Sequence, residues 1–198
     1  ATISANNDYE LGKIVADAYT EVGVDGAVTI EESMSKKTYT EIVKGTRLKR
    51  GFDSPYLITD KEKNQVVLED PFVLVSDKKI QAIEDIEPAL QVAVQSKKPI
   101  LIISEIETSV MNLLNVNKAK GVIKVNVVQP EGVGLNRFEL LEDLALMTGS
   151  ILVSDETGND FSSVDGSFLG KAKKSVSTES ETIITLDDKQ DLTSIEER

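Results

Sequence analysis

The segment FVLVSDKKIQAIEDIEPALQVAVQSKKPILII, Phe72 to Ile103, holds two runs of four apolar residues, Phe72-Val73-Leu74-Val75 and Ile100-Leu101-Ile102-Ile103, on either side of a helical pattern. Short strands that are apolar almost throughout belong to sheets covered on both faces, which in practice are parallel sheets. Between the runs, Ile83, Ile86, Leu90 and Val94 recur at helical spacing, and Pro99 closes the helix before the second strand. Strand, helix and strand in this order imply a parallel pair joined by a right-handed crossover.

The alternation continues outward. Helix Thr108 to Lys118, strand Val122 to Val128, helix Arg137 to Thr148 with Gly149 at its C-terminal cap, and strand Ile151-Leu152-Val153 follow in turn. An α/β fold with a parallel-sheet core is expected. Asp, Asn, Ser and Gly then dominate from Asp155 to Gly170, a loop-rich excursion, and Lys173 to Leu186 returns to strand. On the other side lies RGFDSPYLITD, Arg50 to Asp60. Pro55 disfavours the helical region for Ser54, and Gly51 permits a turn that other residues resist, so an extended segment with a bend is expected there. Further back, Leu11, Ile14, Val15, Ala18 and Val22 share one face of a helix from Asn7 to Val22, with Asn7 and Glu10 spaced like a capping box. Short strands Ala27 to Ile30 and Thr38 to Val43 complete a small α+β module. The chain opens on Ala, and its last residues, SIEER, look like the beginning of a helix, so it is expected to be a piece of a longer protein.

A chain of 198 residues can bury a sizeable core, roughly 70% of its unfolded surface. No apolar run approaches the length of a membrane helix. A net charge of −12 argues against a general nucleic-acid surface, and the basic runs Lys44 to Arg50 and Lys171 to Lys174 are read as solvated faces. The absence of Cys and His removes thiol nucleophiles, imidazole acid–base catalysis and the usual zinc ligands.

Two stretches imitate phosphate loops. Gly132-Val133-Gly134 lies between a strand and a helix, but Arg137 stands where a dinucleotide fingerprint has its third glycine. Gly166 to Ala172 has one residue too few between its glycines, and Ala where a hydroxyl should bind magnesium. The pairs Glu31-Glu32 and Asp187-Asp188 would point to opposite faces of a strand and are read as surface. Asp77-Lys78-Lys79 follows a strand of the parallel series, where such sheets place their ligand crevices. An enzyme domain binding a nucleotide or small ligand near Asp77 or Gly132 is therefore the rival reading.

The helices carry apolar residues to spare. Ala82, Ala89, Val92 and Ala93 widen the arc beyond the stripe of Ile83, Ile86, Leu90 and Val94, while Val110, Leu113 and Leu114 make one stripe that leaves Met111 and Val116 off it. Either the core is thicker than usual or a hydrophobic groove awaits an incoming segment.

ISAN at Ile3 to Asn6, RGFDSPYLI, LEDPFVLVSDKKI at Leu68 to Ile80, KKPILIISE at Lys97 to Glu105, GVIKVNVV at Gly121 to Val128 and LGKAKK at Leu169 to Lys174, in this order, resemble the GroEL-like group I chaperonins. The resemblance runs from the start of the chain to about Leu186. It implies an apical, polypeptide-binding domain over 44–186, of three-layer β/β/α form, with intermediate-domain segments at 1–43 and 187–198. It also implies capture of non-native polypeptides and of a GroES-like co-chaperonin. The implied contact residues are Phe52, Ser54, Tyr56 and Leu57 in the extended segment, Glu87 and Leu90 in the first groove helix, and Met111, Asn115 and Val116 in the second. Glu87 and Asn115 depart from the family pattern, which is apolar there, and the segment between the helices is one residue shorter. ATP and magnesium belong to the family's equatorial domain, which has no counterpart in these residues. The resemblance implies no cofactor and no catalysis for this portion, a monomer in isolation, a heptameric ring for the parent, no nucleic acid or membrane partner, and a cytoplasmic or organelle-matrix location.

Overall fold

The computed structural model describes residues 45–186, together with positions 12–14, 16, 17 and 20. Those six positions are helical, and Thr20 Oγ1 donates to the Ala16 carbonyl at 2.8 Å, within the helix expected from Asn7 to Val22. The rest of that helix, the strands Ala27 to Ile30 and Thr38 to Val43, and the segment 187–198 lie outside the described residues.

In chain order the elements are β1 (Gly45–Leu48), β2 (Val66–Glu69), β3 (Phe72–Val75), α1 (Glu87–Ser96), β4 (Ile100–Ile103), α2 (Thr108–Ala119), β5 (Val125–Val128), α3 (Leu135–Thr148), β6 (Gly170–Lys171), β7 (Lys174–Ser177) and β8 (Thr182–Thr185). The chain is thus mixed α/β. One sheet has the order β5-β4-β3-β6, in which β3, β4 and β5 are parallel and β6 runs antiparallel beside β3. Crossovers β3–α1–β4 and β4–α2–β5 step in the same direction across it. Right-handed connections then set α1 and α2 side by side on one face.

All four residues of β4 and all four of β5 are buried. Each large apolar side chain so buried contributes about 1.5–3 kcal/mol. The second sheet, β1-β8-β7-β2, is antiparallel throughout and covers the face from which Asn126 projects. There the Asn126 amide donates to Ser177 Oγ at 2.7 Å, and Thr182 Oγ1 donates to the same oxygen at 2.8 Å.

Several expected elements are reshaped. Lys173 to Leu186 is a hairpin rather than one strand, closed where Thr178 N–H donates to the Glu181 carbonyl at 2.8 Å. Ile151 to Val153 contributes a single parallel bridge, Val153 to Ser76. The helix expected from Ile83 is broken into a 3₁₀ turn, Ile83–Asp85, followed by α1. The Asp85 carboxylate accepts from Gln81 N–H and Ala82 N–H, both at 2.9 Å, and so caps the turn. Pro88 is accommodated because it lies in the first turn of α1, where its missing N–H has no partner to lose. Gly149 ends α3 at φ 69°, as a C-terminal cap should. No helix among the described residues is long and apolar enough to cross a membrane.

Candidate functional site: an apolar groove between α1 and α2

α1 meets the core through two alanines, with Ile86 just before its first residue. Ile86, Ala89 and Ala93 are fully buried, whereas Leu90 is half-buried and Val94 is 41% exposed. At about 100° per residue, Leu90 and Val94 sit to one side of the Ile86–Ala89–Ala93 face, turned toward α2. The stripe of Ile83, Ile86, Leu90 and Val94 is therefore divided between core and groove.

α2 shows a related correction. Val110, Met111 and Leu114 are buried, while Leu113 and Val116 are 46% and 49% exposed. Met111, expected off the core stripe, belongs to it, and Leu113 does not. Both the expected triplet and the observed one span about 100° of helical arc, so spacing did not discriminate between them. The position of the sheet did.

Between the helices lies a groove of ≈ 290 Å³. Ile83, Leu90 and Val94 line it from the α1 side, and Leu114, Val122 and Ile123 from α2 and the turn beyond it. Polar groups are contributed by Glu87, Gln91, Gln95 and Asn117. Gln91 Nε2 donates to Glu87 Oε1 at 3.1 Å, and Asn117 Nδ2 to the Leu113 carbonyl at 2.9 Å. The lining is otherwise apolar, and Val94 and Val122 present much of their surface to solvent.

On the other flank of α2 runs the segment Arg50 to Asp60. Gly51 is required by close approach rather than by a special φ, because a Cβ would overlap the Thr178 carbonyl and the Glu179 backbone. Phe52 N–H donates to the Thr178 carbonyl at 3.0 Å and Asp53 N–H to the Val127 carbonyl at 2.9 Å, tying the segment to both sheets. Ser54 is extended (φ −140°, ψ 126°), as the following proline demands, and Pro55–Leu57 forms a 3₁₀ turn where only a bend was expected. Ser54 Oγ then donates to Asn115 Oδ1 at 3.2 Å, and Lys118 Nζ donates to the carbonyls of Tyr56 at 3.0 Å and Ile58 at 2.8 Å.

The nine expected contact residues thus separate. Glu87 and Leu90 line the groove. Tyr56, 74% exposed, and Val116 are accessible but lie outside its lining. Phe52 is half-buried against the core. Ser54 and Asn115 engage each other. Leu57, expected beside Phe52 and Tyr56 to face a partner, is fully buried, and Met111 is 8% exposed. Sequence reasoning did not single out Ile83, Val94, Leu114, Val122 or Ile123 for the groove. Ile83 and Val94 share the helical spacing of Leu90, and that was the available signal.

The crevice at the strand ends, where the rival reading places a ligand, is occupied by ionic contacts of the chain itself. Arg137 from α3 lies 2.9 Å from the Asp77 carboxylate and 3.8 Å from that of Glu105, and its Nη2 donates to the Asp77 carbonyl at 2.8 Å. Lys78 pairs with Asp155 at 2.7 Å and Asp160 at 3.4 Å, and Lys79 with Glu107 at 2.6 Å. The hydrogen bond to Asp155 raises the Lys78 ammonium above the ordinary lysine range, and the one to Glu107 does the same for Lys79. In turn Lys79 holds the Glu107 carboxyl below its ordinary range. A phosphate would have to displace these contacts. Gly170 and Lys171 are paired in register with Val73 and Phe72, so the Gly166 to Ala172 stretch is not a free loop. The chain matches no family model.

Proposed function

We propose that this chain is the polypeptide-binding portion of a group I chaperonin-like protein, capturing apolar stretches of non-native chains, and the mobile loop of a GroES-like co-chaperonin, in the groove between α1 and α2. In this reading the two sheets and the helices correspond to the β/β/α layers of an apical domain. ATP and magnesium would act elsewhere in the parent ring, in the cytoplasm or an organelle matrix. The observation that carries the proposal is the groove itself: Leu90 and Val94 of α1 and Val122 beyond α2 are partly open to solvent along it, although α1 already meets the core through Ala89 and Ala93. Apolar burial is non-directional, about 25 cal/mol per Å², so such a surface tolerates many partner sequences. The ionic contacts around Asp77 and Arg137 weigh against the enzyme rival.

The test is capture of a reduced, unfolded model protein, with a co-chaperonin mobile-loop peptide as competitor. Leu90→Ser and Val94→Ser should each weaken capture at least several-fold while lowering the melting temperature by only a few degrees. Capture unaffected by either substitution would remove the groove from the mechanism.

A further inference from the structure

Glu87 is the one ionised side chain that lines the groove. It is exposed, it accepts a hydrogen bond from the neutral Gln91 amide, and it has no cationic partner among the described residues. Exposed Glu84 lies three residues before it and outside the groove lining. Nearby cations are directed elsewhere. Lys118 of α2 is held by the Tyr56 and Ile58 carbonyls on the opposite flank, and Lys98 pairs with Asp70 at 2.6 Å. At the far end, α1 and α2 run out into Lys97 and Lys120, both exposed. The groove lining is therefore mostly apolar, with neutral amides and a single carboxylate, Glu87, while Lys97 and Lys120 lie outside it.

Resting on the groove reading above, we infer that the preferred occupant is a short apolar polypeptide segment with a lysine or arginine beside its apolar residues, the cation placed against Glu87. A neutral apolar segment fits the same walls but leaves the carboxylate without a counter-charge. An acidic flank at the Glu87 end adds repulsion between like charges.

Three fluorescently labelled peptides sharing one apolar stretch, with Lys, Gln or Glu beside it, test this by anisotropy at low salt. The Lys peptide should bind about twofold to fivefold tighter than the Gln peptide, the range expected of an exposed ion pair, and the Glu peptide more weakly than either. Added salt should narrow the differences. Glu87→Gln should abolish the Lys preference. Glu62→Gln, which removes the same charge from an exposed turn outside the groove lining, should retain it. A preference that survives in Glu87→Gln, or falls equally in both variants, would assign it to the overall charge of −12 and overturn the inference. Equal binding of all three peptides leaves the groove reading standing and this inference refuted; if no peptide binds, both fall.

Discussion

Along the flank of α2 that faces Pro55–Leu57, polar groups are matched in pairs: Ser54 with Asn115, and the Lys118 ammonium with the Tyr56 and Ile58 carbonyls, over a Leu57 that is fully buried. Along the flank that faces α1, Leu114 and the adjoining Val122 and Ile123 meet Leu90 and Val94 across open space. One helix thus carries a fastened side and an unfilled side. Directional hydrogen bonds fasten the Arg50 to Asp60 segment to the first flank, while the second is lined mainly by apolar side chains.

The comparison breaks most severely at Leu57. Leu57→Ala should cost about 3–5 kcal/mol, the upper part of the range for a buried leucine, and lower the melting temperature by roughly 6–20 °C at about 2–4 °C per kcal/mol. A small shift measured by circular dichroism would mean that the side chain is not core. Met111→Ser follows, at about 2–4 kcal/mol; a flexible thioether that is 8% exposed leaves a space its neighbours can partly refill. If this variant instead melts normally and loses only capture, Met111 belongs to the groove after all. Ser54→Ala removes the donor to Asn115 and should cost about 1 kcal/mol, with most of that loss shared in the double variant with Asn115→Ala. Full additivity would show that the pair does not act as a unit.

The smallest effect concerns the start of α2, common to both flanks, where Glu107 precedes the first helical residue and pairs with Lys79. Glu107 is lowered, so its contribution is present above the ordinary carboxylate range and lost as pH falls through the lowered value. Lys79 is raised, so its contribution is present below the ordinary lysine range and lost as pH rises through the raised value. Stability from the pair should be flat across neutral pH. An NMR titration should find the Glu107 midpoint below that of an ordinary glutamate and returning upward in Lys79→Ala; an unchanged midpoint in that variant would discount the pair.

Much of the architecture was legible in the residues because its signals are local. Apolar runs at Phe72–Val75, Ile100–Ile103 and Val125–Val128, each separated from the next by a helical pattern, lead directly to three parallel strands. The antiparallel sheet was not legible. Its neighbours Gly45–Leu48 and Thr182–Thr185 stand at opposite ends of the described residues, and β2 pairs with β7 across a similar separation. Nothing within either segment names its partner.

For the site, sequence alone determined that α1 and α2 carry more apolar side chains than one core-facing stripe requires, since composition and helical period set the width of the apolar arc. Only the tertiary structure decided which part of each arc is buried. Ala89 and Ala93 rather than Leu90 and Val94 face the core, and Met111 rather than Leu113, although the arcs are equally apolar by spacing. The physical reason is that a helix defines angles between its own side chains but carries no reference for where the sheet lies. That direction is set by the crossovers, by the neighbouring helix and by the segment pinned at Ser54, none of which is a local property of the helix.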